Sequence, residues 1–99
     1  MLQVQLLPIE AQTLRTVLGQ QSVEITVRQR STGLYIDVSS NGVQLVAGKI
    51  CRDRVKLIRH KYLGFEGDLT FIDTQGTSDP SYTGLGGRYF LVYLEASEL

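Results

Sequence analysis

Short runs in which apolar residues alternate with polar ones dominate this sequence. Residues 23–27 carry valine or isoleucine at every second position, and 34–38 repeat the pattern with Leu34, Ile36 and Val38. A period of two places the apolar side chains on one face of a β-strand and the polar ones on the other. The pattern therefore predicts two half-buried strands.

Asn41 and Gly42 separate the second of these strands from a third apolar run, 43–47. Both residue types accept the positive φ angles that a two-residue type I′ hairpin requires. With these two as the loop residues, the register would pair Ser40 with Val43, Val38 with Leu45, and Ile36 with Ala47. The sequence thus predicts a hairpin whose apolar residues share one face.

Four further runs have strand character. Residues 69–73 and 89–94 are apolar on both sides, which is typical of a strand inside a sandwich or at a subunit contact. Residues 3–9 and 13–18 are weaker strands. The run 50–61 fits a helix or a strand, and we expect a strand or an extended loop.

Strands of this length at roughly ten-residue spacing predict an all-β fold. We expect a small single-domain β-sandwich or partly open β-barrel of about seven short, mainly antiparallel strands, covering residues 1–99. The composition, 42% apolar and 20% charged, is that of an ordinary globular domain. A chain of this size has room for one core.

Cys51 is the only cysteine, which excludes an internal disulfide and a multi-cysteine metal cage within one chain. The N-terminal residues lack the charged and apolar regions of a signal peptide. No run approaches the roughly 18 apolar residues of a membrane span. We therefore expect neither export by that route nor membrane insertion.

Ten basic and ten acidic residues cancel over the whole chain, but they are unevenly distributed. Segment 49–61 carries six bases against Asp53, and segment 62–99 carries six acids against Arg88. A solvated face is the default interpretation of the basic segment, and nucleic acid or an acidic protein surface are the alternatives. Overall neutrality argues against nucleic acid as the partner.

Reactive chemistry is poorly represented. His60 is the only histidine and lies among basic neighbours, and Cys51 lacks an evident orienting group. The acidic residues match no calcium-loop spacing, and the glycines at 84, 86 and 87 precede no helix pattern. We predict no catalytic residue, no metal site and no cofactor, and hence no enzyme.

The turn-rich segment 75–87 is too long for a simple hairpin loop, and an ordered loop of this length usually has a function. Tyr82 and Arg88 belong to the residue types that are enriched at binding hot spots. Each is equally able to be a local packing residue. The segment is nevertheless a second candidate interface, beside the basic one.

From residue 62 to residue 95 a series of motifs appears in a characteristic order. They are Tyr62-Leu63-Gly64-Phe65 with Gly67, Asp73-Thr74-Gln75-Gly76, Asp79-Pro80 with Tyr82, and Leu85-Gly86 with Arg88 and Tyr93. In this order they resemble the baseplate plug family of contractile-tailed phages, including cyanophages. The first half shares the family's rhythm of short strands, a tight turn and a Leu-Val-Ala-Gly strand. The basic run after that strand departs from the family's apolar, proline-containing pattern.

The resemblance implies a structural component of the phage tail baseplate that plugs the central channel at the junction of tail tube and hub or spike. It implies location in the virion after assembly in the host cytoplasm. The implied partners are further copies in a symmetric ring, the hub or spike and tail tube proteins, and the tape-measure protein as an additional candidate. No membrane or cofactor is implied.

The charge split predicts a head-to-tail contact in which the basic segment of one copy faces the acidic segment of its neighbour. The candidate interface residues are Arg54, Lys56, Arg59, Lys61, Tyr62, Phe65, Tyr82 and Arg88. A non-viral β-sandwich that binds a peptide or sugar is the alternative, and it predicts a monomer with a ligand cleft.

Overall fold

The computed structural model describes residues 2–59 and 67–95. Seven β-strands account for most of them: β1 Leu2–Val4, β2 Ala11–Leu18, β3 Gln21–Arg30, β4 Gly33–Ser40, β5 Val43–Ile50, β6 Asp68–Asp73 and β7 Tyr89–Leu94. The described part of the chain contains no α-helix, and a single 3-10 turn spans Tyr82–Gly84. The all-β prediction and the expected number of strands are confirmed.

The strands form two antiparallel sheets. Strands β2, β3, β4 and β5 are neighbours in chain order, so tight turns connect this four-stranded sheet. The other sheet has the order β1-β7-β6, with the last strand of the chain between the first and the sixth. Its assembly therefore brings the two ends of the sequence together, and Leu2 pairs with Tyr93.

One hydrophobic core lies between the sheets. Alternate residues of β3 and β4 point into it, as the period of two predicts, and all six are almost completely buried: Val23, Ile25, Val27, Leu34, Ile36 and Val38. Leu69, Phe71 and Leu91 of the three-stranded sheet belong to the same cluster and have no solvent exposure. Two sheets that face each other across a shared core form a sandwich.

Strands β6 and β7 are buried on both faces, as their doubly apolar sequences predict. Leu69 and Phe71 face the core, while Thr70 on the opposite face is also only 6% exposed. Its cross-strand partner Val92 is equally covered. Residues of the same chain therefore cover much of both faces of this sheet.

The predicted register of the β4–β5 hairpin is wrong beyond the turn. Ser40 does pair with Val43, but Val38 pairs with Val46 and Ile36 with Lys49, because two irregularities each shift the partner by one residue. The carboxylate of Asp37 accepts the Gly48 N–H, and Gly48 has a left-handed backbone (φ +56°). The shift buries Val46 and leaves Leu45 and Ala47 more exposed.

Two boundaries also differ from the expected ones. The first strand ends at Val4 instead of continuing to residue 9, and the second begins at Ala11, two residues earlier than expected. Residues 51–59 run without a regular strand. The expectation of an extended loop is therefore confirmed for that part of the basic segment.

Candidate interaction surfaces

The extended segment 51–59 lies along the outer edge of β6. The Arg54 N–H donates to the Phe71 carbonyl (2.7 Å) and the Leu57 N–H to the Leu69 carbonyl (2.9 Å). These bonds occupy backbone groups that an edge strand would otherwise offer to another chain. The segment therefore closes this edge. Its apolar residues Cys51, Leu57 and Ile58 are buried, while Lys56 and Arg59 are exposed.

Asp68 holds the end of this segment. Its buried carboxylate accepts the backbone N–H groups of Ile58 (2.8 Å), Arg59 (2.9 Å) and Leu69 (2.7 Å). These three bonds satisfy the carboxylate oxygens that burial removes from water. They also fix the backbone next to the exposed side chains of Lys56 and Arg59.

Arg54, a predicted interface residue, forms its ion pair and hydrogen bonds with residues of its own chain. Its guanidinium pairs with Asp53 (2.5 Å) and donates to the carbonyls of Gly76 (3.2 Å) and Asp73 (3.3 Å). Arg52 pairs with Asp79 at 3.4 Å. Both arginines thus connect the basic segment to the turn that follows β6.

Lys56 and Arg59 are exposed, and their side chains make no hydrogen bond or ion pair within the described ranges 2–59 and 67–95. Lys49 lies beside them, because its ammonium donates to the Leu57 carbonyl (2.8 Å). We call Lys49, Lys56 and Arg59 the basic surface. The other predicted interface residues of this region, Lys61, Tyr62 and Phe65, lie outside the described residues, as does His60.

The acids of segment 62–99 that the structure describes interact within their own chain. Asp68 is bound by backbone N–H groups, Asp73 by Arg88 and Asp79 by Arg52, so three of its six acids have partners in their own chain. Glu95 also has an interaction of its own. A neighbouring copy therefore offers little free acidic surface among these residues.

Arg88 and Asp73 form a bidentate ion pair at the base of the loop 75–87. Nε donates to Oδ1 (2.8 Å) and Nη2 to Oδ2 (2.9 Å), and the Asp73 side chain has no solvent exposure. The pKa of Asp73 is lowered well below its ordinary value, chiefly by the Arg88 hydrogen bond and also by the N–H groups of Gln75 and Ser78. Asp73 in turn raises the pKa of Arg88.

The Arg88 guanidinium also lies 5.1 Å from the centre of the Tyr89 ring, within the range of a cation–π contact. Its side chain remains 35% exposed. Arg88 thus has a structural role in this chain, and its assignment to an interface stays a prediction.

Tyr82 joins the same loop to the other sheet. It is half-buried against the core, and its N–H donates to the Gln29 side-chain oxygen of β3 (3.0 Å). These contacts give Tyr82 a packing role. Its contact with another protein stays a prediction as well.

The outer face of the four-stranded sheet is polar. Thr13 bonds to Thr26, and ion pairs connect Arg15 with Glu24 and Arg28 with Asp37. Two adjoining depressions of about 270 and 220 Å³ lie on this face, and both include Glu24, Ser39 and Gly42.

Cys51 is buried, and desolvation raises the pKa of its thiol to about 12. A protonated thiol is a poor nucleophile, so this residue is a packing side chain. In 2–59 and 67–95, no three His, Cys, Asp or Glu residues are grouped as metal ligands. No helix in those ranges is long and apolar enough to span a membrane.

Asp68 and Asp73 are important residues that the sequence did not identify as such. Each stands at an end of β6, where a polar residue bounds an apolar run. That position is a recognisable signal for a side chain that binds loop backbone. Their partners come from both preceding and following loops, and the sequence gives no indication of these pairs.

A comparison with protein families independently supports the resemblance that the motifs between residues 62 and 95 indicate. The family model described as "Cyanophage baseplate Pam3 plug gp18" matches residues 1–96 of the 99-residue chain. No curated protein matches the sequence. The match extends over both sheets, the basic segment and the loop 75–87. Members of this family are components of the phage baseplate. The chain therefore belongs to the cyanophage baseplate plug family.

Proposed function

We propose that this protein closes the central channel of a contractile tail baseplate at the junction of the tail tube with the hub or spike. The observation that carries the proposal is the family match over residues 1–96. The role is structural and requires no catalysis. It is carried out in the virion, after assembly in the host cytoplasm.

The internal connections of the chain support a role that depends on shape. Loop 75–87 is held by Arg88–Asp73 and by the Tyr82–Gln29 bond, and the segment 51–59 is held by Asp68. Loops fixed in this way present a preformed surface, which reduces the entropy lost on binding. A plug that must stay in place until injection benefits from such rigidity.

Within the basic segment, Lys56 and Arg59 are the predicted interface residues whose side chains have no partner among the described residues. Arg54 is engaged inside the chain, whereas Lys56 and Arg59 point outward beside Lys49. Since Asp68, Asp73 and Asp79 are also engaged, we assign the complementary acidic surface to a different baseplate protein. The hub or spike and the tail tube are the candidates, with the tape-measure protein in addition.

Self-association in a symmetric ring remains part of the proposal, through contacts other than this charge pair. Ring contacts need complementary patches on one copy and the next. The loop 75–87, with Tyr82 and Arg88 at its base, is the candidate. Most of its residues are exposed, and hydrogen bonds with Asp73, Arg88 and Gln29 hold it to both sheets.

A test of the basic surface uses co-expression with the tube and hub proteins of the same phage. Lys56→Glu combined with Arg59→Glu should reduce co-purification at least tenfold, and binding by the original protein should weaken as salt rises. Arg30→Glu is the matched control, because Arg30 is an exposed cation on the other sheet. Equal recovery of both variants at low salt would remove the basic surface from the interface.

A test of the plug role itself uses phage particles. Omission of the protein should leave baseplates without density at the channel junction in electron micrographs, and tails that lose their contents before attachment. Intact baseplates with a closed channel in its absence would overturn the proposal.

A further inference from the structure

The two sheets have four outer edges, and three of them are protected against pairing with another chain. Strand β1 has only three residues, segment 51–59 covers β6, and β5 is interrupted by two register shifts. Short, covered and bulged edges are the usual devices that prevent strand addition. Strand β2 has none of these protections.

Strand β2 is regular over all eight residues, Ala11–Leu18, and contains neither proline nor glycine. The Gln29 N–H donates to the Glu10 carbonyl (2.7 Å), which fixes the phase of the ladder with β3. In an antiparallel pair, alternate residues then direct their backbone groups away from the partner strand. These residues are Ala11, Thr13, Arg15 and Val17.

The side chains of these four residues are exposed, and Val17 is 66% exposed. Among the residues that the structure describes, none bonds to their outward N–H and carbonyl groups. Arg15, the one charged residue of the strand, is paired with Glu24 of its own sheet. The edge therefore offers a neutral row of free backbone donors and acceptors.

We propose that β2 pairs with β2 of a second copy, antiparallel about a two-fold axis, and joins the two four-stranded sheets into one of eight strands. The ladder phase allows only registers that pair outward residues with outward residues. Centring the axis on Leu14 gives a self-complementary arrangement. Leu14 then lies opposite Leu14 of the second copy. Ala11 lies opposite Val17 of that copy, and Thr13 lies opposite its Arg15.

This register places apolar residues opposite apolar ones and polar opposite polar. Moving the axis to Arg15, which gives the same length of overlap, would set two arginines directly opposite each other, an unfavourable pair. Leu14 also packs partly against the core of its own chain, so the Leu14 pair would extend that core across the axis. The pattern of β2 thus fits a second copy in one register.

A two-fold contact closes on itself and cannot continue into a ring. The inference therefore concerns the free protein before it enters the baseplate, and it stands independently of the proposed function. Pairing would protect the open edge from uncontrolled strand addition during that period.

Sedimentation velocity tests the association. From about 1 µM to about 1 mM, a range that detects weak to moderate association, the mass should rise from 11.0 kDa to twice that value. Thr13→Pro removes an outward N–H and should abolish the rise, because proline is tolerated on a free edge but not in a new ladder. Gln44→Pro, on the β5 edge, is the control and should still dimerise.

Circular dichroism shows whether both variants remain folded. A monomer at all concentrations, or a dimer that Thr13→Pro leaves intact, would overturn the proposal. Engineered cysteines test the register separately. Leu14→Cys should form an interchain disulfide on mild oxidation, because non-hydrogen-bonded antiparallel neighbours have Cα atoms about 4.5 Å apart.

Val17→Cys would face Ala11 and should form far less disulfide. The native Cys51 is buried and does not interfere. Efficient crosslinking at 17 without crosslinking at 14 would overturn the Leu14-centred register.

Discussion

At the scale of single residues, the Asp73–Arg88 pair shows what a long loop needs in order to be rigid. The two residues lie on either side of fourteen residues, 74–87, and the bidentate pair joins the two ends of this segment. The sequence indicated both the loop and Arg88, and left open whether the arginine is an anchor for another protein or a local packing residue. Spacing alone could not show that Asp73 is buried and requires a cation.

The pH dependence of stability should report on this pair. Because folding lowers the pKa of Asp73, its contribution is present above the ordinary value of about 4 and is lost as pH falls through the folded value. Asp73→Asn should lower the melting temperature at pH 7 and make its decline in acid shallower. Glu10→Gln, an exposed carboxyl without a partner in the described chain, is the control. An unchanged acid slope in Asp73→Asn would contradict the assignment.

Cys51 gives a second prediction at this scale. Burial raises the pKa of its thiol to about 12, so very little of the thiol is ionised at neutral pH. A disulfide reagent that absorbs on reaction should therefore label the native protein slowly and the urea-unfolded protein rapidly. Fast labelling of the native state would mean that Cys51 is accessible.

At the scale of elements, hydrophobic periodicity predicted the strands well, and the Asn41-Gly42 turn correctly predicted the hairpin. Periodicity could not predict the register, because one of its two displacements, between Ile36 and Val38, lies where a side chain of the neighbouring strand binds the backbone of β5. Asp37 binds the Gly48 N–H, and the left-handed Gly48 lets β5 gain residues on β4. The same limit applies to segment 51–59, whose backbone pairs with β6 through contacts that no local pattern encodes.

The role of Gly48 can be measured. Gly48→Ala should destabilise the fold by about 1–2 kcal/mol, because an L side chain is strained at φ +56°. Gly87→Ala is the matched control, since a Cβ there meets no atom within 4 Å and the backbone is not left-handed. Urea denaturation compares the two. A neutral Gly48→Ala would show that the β5 irregularity does not depend on glycine.

At the scale of the whole molecule, the fold class and number of strands follow from sequence, while the strand order does not. Pairing β7 between β1 and β6 joins residues more than eighty positions apart, and only the shared core makes that arrangement favourable. The basic surface likewise has a part that the sequence predicts and a part that it does not. The sequence predicted that the segment is basic. Tertiary contacts decide that Arg54 bonds to the turn after β6, while the side chains of Lys56 and Arg59 have no partner among the described residues.

The position of the core predicts different stability costs for alanine substitutions at Phe71 of β6 and Phe90 of β7. Phe71 has no exposure and lies in the core cluster, whereas Phe90 is only partly covered and lies on the opposite face of the same sheet. Phe71→Ala should cost about 3–5 kcal/mol through lost burial and the cavity left behind. That is a large part of the roughly 5–10 kcal/mol expected for a chain of this size.

Phe90→Ala should cost clearly less, about 1–2 kcal/mol, because part of its ring already contacts water. Urea denaturation of both variants by circular dichroism measures the difference. If the two substitutions cost the same, both faces of the three-stranded sheet contribute equally to stability. That result would contradict the expected ranking, because the outer-face contacts of Phe90 would then stabilise the fold as much as the core contacts of Phe71 do.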